Sequence, residues 1–155
     1  LAGKTEFSSL KVHWKQRCLK RGRVSMTTIL IEKNIMVPMR DGVKIATDIY
    51  RLEGVSPTPT LVVRTPYNKD QMLAHGDIFD ILRAVQAGYT VVTQDVRGRY
   101  ASEGTFNPHA QETADGLDAF AWAAAQPWSN GVLGTFGGSY LGGTQWLPAR
   151  AQPPA

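Results

Sequence analysis

At 155 residues, 43% of them hydrophobic and 19% charged, the sequence has the size and composition of one globular domain with a substantial core, which excludes a disordered chain. No apolar run approaches the roughly 18 residues of a membrane helix, and no apolar segment with a small-residue cleavage site follows the basic N-terminus, so neither a membrane span nor a signal peptide is expected. Cys18 is the single cysteine, which excludes an intramolecular disulfide and leaves the cytoplasm as the default expectation.

The net charge of +4 is unevenly spread. Residues 1–25 hold seven basic side chains (Lys4, Lys11, Lys15, Arg17, Lys20, Arg21 and Arg23) against Glu6 alone, a net +6 that leaves −2 for the rest. This leader shows no clean apolar period and precedes Met26 directly. It is read as disordered or not native to the domain, with nucleic-acid binding through clustered cations, and Trp14 as a stacking ring, the weaker alternative.

From Ile29 the pattern changes. Ile29-Leu30-Ile31 and Ile35-Met36-Val37 predict one strand or two, Met39-Arg40-Asp41-Gly42 a turn, and the alternation of Val43, Ile45, Thr47 and Ile49 a half-buried strand. These pieces should form an antiparallel hairpin over residues 29–50 at a sheet edge. Leu61-Val62-Val63 predicts a short buried strand. Pro66 ends it, lacking a ladder donor, and puts Tyr67 on the loop beyond. Ile78, Ile81, Leu82 and Val85 predict a helix over 77–87 closed by Gly88, with His75 in the loop before it. Residues 89–95 predict a central parallel strand, followed by a polar, glycine-punctuated loop from Val96 to Gly104. A second helix is expected over 113–125 with Leu117, Phe120, Ala121 and Ala124 inward and His109 near its start. Residues 128–131 should turn the chain into a buried strand at Val132. The order β, α, β, α, β predicts a mostly parallel sheet with flanking helices, with ligands at the carboxyl ends of its strands.

That last strand meets Gly137-Gly138-Ser139-Tyr140-Leu141-Gly142 and continues as a helix. A serine at a glycine-flanked strand-to-helix turn is the arrangement of a nucleophile elbow, where crowding calls for glycine. The strict G-x-S-x-G is not met, because Leu141 stands in the final glycine's place and Gly142 follows one position late. A purely structural turn stays open at this point. A phosphate cradle would need G-x-G-x-x-G or Gly-Lys-Ser/Thr, which this window lacks.

Four segments in order resemble the cocaine esterase / X-Pro dipeptidyl-peptidase (CocE/NonD) family of α/β-hydrolases. They are Val37-Pro38-Met39-Arg40-Asp41-Gly42-Val43, then Arg64-Thr65-Pro66-Tyr67, then Gln94-Asp95-Val96-Arg97-Gly98-Arg99-Tyr100 with Ser102-Glu103-Gly104, then Gly137-Gly138-Ser139-Tyr140-Leu141-Gly142. The match spans about residues 30–146, and the late glycine is a trait of that family. The resemblance implies the N-terminal part of an α/β-hydrolase fold and cleavage of ester, amide or peptide acyl bonds through an acyl-serine. It implies Ser139 as nucleophile, with the backbone N–H of Tyr140 and the hydroxyl of Tyr67 as oxyanion-hole donors. No cofactor or metal is implied, and the partner is a small ester, amide or short peptide. Asp95, Arg97 and Glu103 are expected to form an ion-pair network bracing the rim loops.

Sixteen residues follow Ser139, none of them Asp, Glu or His; the histidines are His13, His75 and His109. Serine hydrolases of this fold place the acid and then the histidine after the nucleophile. With Pro148 expected to stop the helix after the elbow, the expectation is a partial hydrolase domain over 26–147, a proline-rich tail over 148–155, and a fragment inactive on its own. A non-catalytic module that binds carbonyl ligands is the alternative from a different class.

Overall fold

The computed structural model describes residues 10–20, 23–55, 57–74 and 79–151. Six strands among them form one mixed sheet: β1 (Leu10–Lys20), β2 (Arg23–Pro38), β3 (Lys44–Leu52), β4 (Thr58–Thr65), β5 (Thr90–Asp95) and β6 (Ser129–Thr135). Their order across the sheet is β1-β2-β3-β5-β4-β6. β1, β2, β3 and β5 pair antiparallel in succession, whereas β4 runs parallel to both β5 and β6. Four helices are described: α1 (Lys69–Ala74), α2 (Ile81–Gln86), α3 (Glu112–Ala124) and α4 (Tyr140–Ala149).

The hairpin of β2 and β3 closes through Met39–Gly42 as its residues dictate. Gly42 takes φ +84, its N–H donates to the Met39 carbonyl, and the Asp41 carboxylate accepts the Val43 N–H. Two features differ from the sequence reading. Leu10–Lys20, which lacks an apolar period, pairs along β2 as an outer strand. β3 is buried on both faces, with Ile45 through Tyr50 all inside, because β2 and β5 flank it and packing covers both sides. The register of β2 against β3 shifts between Glu32 and Ile35, where Asn34 adopts φ +56, a bulge that local pattern does not reveal.

Successive residues of β5 serve opposite faces, as a strand requires. Val91 joins Ile29, Ile31, Tyr50, Ile81 and Val85 under α2. Val92 joins Val62 and Ala123 under α3, with Trp122, Trp128 and Leu133 around them. The sheet is thus covered by helix on both sides. α2 begins later than expected, because Asp80 caps it by accepting the Arg83 N–H. Asp77, Ile78 and His75 lie outside the described residues. α1 falls where a loop was expected.

The inward face of α3 is only partly the expected one: Phe120 packs on the Val62, Val92 and Ala123 cluster as expected. Glu112, Asp115, Gly116, Ala119 and Ala123 are buried, while Ala121 is exposed. Small residues let α4 approach: a Cβ on Gly116 would lie 2.8 Å from Pro148 Cγ. β6 starts at Ser129, inside the expected turn, and is mostly exposed, with Val132 60% accessible, because β4 covers only one of its edges. α4 runs one residue past Pro148, to Ala149.

Since β4, β5 and β6 are parallel, their carboxyl ends open on one rim. The loop after β5 folds tightly there: a Cβ on Gly98 (φ +68) would sit 2.1 Å from Phe106 N and 2.5 Å from Thr105 C. Those are backbone atoms, which cannot step aside as a side chain can. Gly98→Ala is therefore expected to cost at least about 2 kcal/mol, strain and overpacking adding together, as measured by urea unfolding. A change within about 0.5 kcal/mol would contradict this packing.

Candidate active site

Ser139 occupies the turn from β6 into α4 at φ +55 and ψ −127, a conformation essentially reserved for glycine. A non-glycine residue held there costs about 1–3 kcal/mol, so the surrounding structure must impose it. Gly137 (φ +115) makes the turn possible: a Cβ there would lie 2.7 Å from Leu141 Cβ, and Leu141 is buried. Crowding does not extend to Gly142, where a Cβ would meet only Gly137 O, at 3.7 Å. Gln145, one turn into α4, locks the bend by donating from Nε2 to the carbonyls of Gly137 (2.9 Å) and Leu141 (3.0 Å).

Serine at a helix N-terminus ordinarily caps it by accepting a backbone N–H. Ser139 makes no such bond, and the residue is exposed at the rim. Its hydroxyl is therefore presented outward. Tyr140 is the first residue of α4, so its N–H has no acceptor one turn earlier and the positive end of the helix lies beside Ser139.

The Tyr140 side chain is firmly held. Its hydroxyl donates to Glu112 Oε1 (2.9 Å) and accepts the His109 N–H (3.2 Å). The His109 ring stacks on it with centroids 4.3 Å apart, and Phe106 approaches at 6.2 Å. Tyr67, 55% exposed on the loop after β4, meets the Tyr140 ring edge-on at 6.4 Å. The loop after β4 and the elbow after β6 thus come together, bringing Tyr67 alongside the residue that follows Ser139.

Beneath this rim lies a buried ionic cluster, of which the sequence reading named Arg97 as an ionic brace but neither Arg64 nor its carboxylate partners. Arg64, at the end of β4 and 1% exposed, donates to Gln94 Oε1 (2.8 Å) and Glu112 Oε2 (2.7 Å), and its Nη2 lies 3.8 Å from Asp115. Arg97 grips Asp115 with two donors (2.9 and 2.6 Å) and reaches Asp41 on the hairpin turn at 2.7 Å. These carboxylates hold the Arg97 guanidinium charged. Asp95 accepts the Lys69 N–H (2.7 Å), while burial pushes its carboxyl above the ordinary range. Glu103 accepts the Lys44 N–H (3.1 Å). The expected network of Asp95, Arg97 and Glu103 is thus three separate braces, each tying the rim to a different element.

Among the described residues no cluster of three or more His, Cys, Asp or Glu is arranged to hold a metal ion, and no helix is long and apolar enough to cross a membrane.

Residues 41–155 match the X-Pro dipeptidyl-peptidase family, S15. The chain is 48% identical over 120 residues to cocaine esterase of Rhodococcus sp. (strain MB1 Bresler), covering 77% of this chain and 21% of that protein. A crystal structure of a CocE/NonD family hydrolase from Staphylococcus aureus superimposes with a TM-score of 0.77 at 30% identity, over 96% of this chain and 30% of the other. An α-amino acid ester hydrolase superimposes with a TM-score of 0.64 at 31% identity, over 75% and 22%. The chain spans about a fifth of the length of the curated relatives it matches.

Two expectations follow from the buried contacts. Arg64→Met should destabilise the fold by about 3–5 kcal/mol, because Glu112 would stay buried without its partner; urea unfolding measures it, and a neutral outcome would contradict the arrangement. The Tyr140 phenol is pushed up to about 12, first by burial and then by the Glu112 carboxylate, against the opposing His109 N–H. An unfolded tyrosine titrates near 10. The stability this shift represents is whole below pH ~10 and lost as pH rises through 12. Phenolate absorbance at 295 nm should rise late for two tyrosines, Tyr140 near pH 12 and the more deeply buried Tyr50 above it, and Tyr140→Phe should remove the earlier of the two.

Proposed function

The chain belongs to the X-Pro dipeptidyl-peptidase (S15) family, and from that membership we propose that it carries the nucleophile and oxyanion half of a serine acyl-hydrolase site. Ser139 attacks the carbonyl carbon of an ester, amide or short peptide, forming an acyl-serine and releasing the alcohol or amine. The oxygen of the attacked carbonyl gains negative charge in that step. The Tyr140 N–H and the Tyr67 hydroxyl stabilise it, fixed donors at the positive end of α4 being worth far more than water.

The observation that carries the reading is the strained, uncapped Ser139. Its φ of +55 has a structural cost, and its hydroxyl makes no capping bond that would offset it. Such strain is maintained where geometry serves chemistry. The cocaine esterase and the α-amino acid ester hydrolase among its relatives are, by their names, enzymes of ester cleavage. The rings of Tyr67 and Phe106 gather on that of Tyr140, the residue after the serine, and such an aromatic cluster favours a substrate with an apolar group beside its carbonyl.

No residue of this chain is assigned as the general base. The His109 ring is stacked against Tyr140, and no Asp, Glu or His follows Ser139 in the chain. Without a base the hydroxyl is a weak nucleophile and the acyl-enzyme is slow to release. Fluoride, however, leaves without acid help, and a phosphonyl-serine does not turn over. A fluorophosphonate ester should therefore label the chain slowly but once, at Ser139, as read by intact mass and peptide mapping, and Ser139→Ala should stay unlabelled. Tyr67→Phe should slow labelling about 10²–10³-fold. Steady hydrolysis of p-nitrophenyl esters should not exceed the Ser139→Ala level. Turnover that Ser139→Ala abolishes would require a base inside this chain, with His109 and His75 the first to test.

A further inference from the structure

We propose that Lys69 is a positioning residue for the oxyanion site, holding the Tyr67 loop from beneath; this rests on the reading of Tyr67 as an oxyanion donor. Tyr67 has little of its own to fix it. It is 55% exposed, it meets Tyr140 only at a ring edge, and it stands between Pro66 and an Asn68 at φ +77. An oxyanion donor is effective only when its position is set before charge develops, and a displacement of about 1 Å can cost about 10²-fold in rate.

Lys69, two residues on, is fully buried, although lysine is among the residues least often found inside. Its ammonium donates to Asn34 Oδ1 at 2.7 Å and lies 3.0 Å from Asp48 Oδ1 and 3.7 Å from Asp70 Oδ1. Its backbone N–H donates to Asp95 Oδ1 at 2.7 Å. One residue thereby ties the Tyr67 loop to the bulge of β2, to the centre of β3 and to the end of β5.

The socket that receives the ammonium is itself fixed. Asp48 is fully buried, accepts the Asn34 N–H at 2.9 Å and lies 3.1 Å from the Lys33 ammonium, which also bonds Asp70. The bulge that turns Asn34 to positive φ is what aims its side-chain oxygen at Lys69. On the other side of the tyrosine, Arg99 Nε donates to the Pro66 carbonyl at 3.1 Å and Thr65 Oγ1 accepts the Tyr67 N–H at 3.0 Å. An apolar side chain could fill the space of Lys69 without burying charge. What it could not do is hold β2 and β3 beneath Tyr67; only the backbone bond to Asp95 would remain.

The test is a double-mutant cycle read by phosphonylation of the whole chain. The Ser139 oxygen forms a bond to phosphorus, the P–F bond breaks with loss of fluoride, and the hydroxyl proton passes to buffer. If Lys69 acts through Tyr67, Lys69→Met slows labelling at least about tenfold, and Lys69→Met combined with Tyr67→Phe is no slower than Tyr67→Phe alone. A general structural defect would multiply the two effects instead. Urea unfolding establishes that each variant is folded. Should Lys69→Met fail to fold, Asn34→Gly keeps the positive φ and the Asp48 bond and removes only the acceptor; it should slow labelling in the same non-additive way. Multiplicative effects, or an unchanged rate in the Lys69 and Asn34 variants while Tyr67→Phe is slow, overturn the positioning role and leave the oxyanion reading intact. An unchanged rate in Tyr67→Phe, or a wild-type rate equal to Ser139→Ala, overturns the reading of the site itself and this inference with it.

Discussion

The guanidinium of Arg64 is the interaction on which the rim depends. It is buried at the end of β4, where an unpaired charge would cost several kcal/mol, and its partners come from β5 and α3. Glu112 neutralises it directly and uses its other oxygen to hold the Tyr140 hydroxyl at the start of α4. The Arg64 carbonyl accepts the Thr144 hydroxyl from the next turn of α4. Three elements that only meet in the folded state are thereby fixed around one planar, permanently charged group. Lysine could not substitute, since the forked donors reach Gln94 and Glu112 in different directions.

A second cluster performs the same service on the antiparallel side. Asp48, Lys69, Lys33 and Asp70 join β2 and β3 to α1, and Asp95 closes the link to β5. Arg97 bridges the two sides by holding Asp115 of α3 and Asp41 of the hairpin turn together. The apolar clusters fill the two faces of the sheet, whereas the ionic clusters lie under its carboxyl rim. Apolar packing is non-directional, so it sets the distance between layers more readily than the angle of a loop. Charged hydrogen bonds with defined geometry set that angle.

Fold class and the elbow were legible because they rest on local pattern. The β-branched runs at Leu61–Val63 and Val91–Val92, the Asp-Gly turn and the glycines around Ser139 each act within a few residues. The α3 face was legible only in part. Its fully buried side is formed by Glu112, Asp115 and small residues, and a search for bulky apolar spacing finds Phe120, which does pack on the core, but misses the acids. Burial of acids is stable only because Arg64 and Arg97, 48 and 18 residues away in sequence, come to meet them. The bulge at Asn34 and the full burial of β3 were hidden for the same reason: both depend on strands and helices from elsewhere in the chain. Tyr67 and Tyr140, both read from motifs, meet in space; of the residues that brace them, Arg64, Asp95 and Arg97 lie inside the motifs, whereas Glu112, Lys69 and Asp48 lie outside them.

The two ionic clusters also explain how Tyr67 and Tyr140, the residue after Ser139, are brought together from separate loops. Tyr67 answers to Lys69 and Asp48, on the antiparallel side. Ser139 answers to Gly137, Gln145 and Leu141 within its own turn, and through Tyr140 to Glu112 and α3. β4 and β5 belong to both: β4 carries Arg64 at the centre of one cluster and, three residues later, the loop held by the other, while β5 bonds Arg64 through Gln94 and Lys69 through Asp95. β4 also lies between β5 and β6, paired with β5 from Thr60 to Thr65 and with β6 from Thr58 to Val62. A shift of β4 relative to either neighbour would move Tyr67 and the Tyr140 anchor by different amounts, because one follows the loop and the other follows α3. Their relative placement is therefore a property of the whole sheet register and not of any contact between them. That is consistent with the single edge-on ring contact that joins Tyr67 to Tyr140. An edge contact of this kind is worth about 0.5–1.5 kcal/mol beyond its buried area. It is too weak to hold a loop in place, and in this architecture it does not have to.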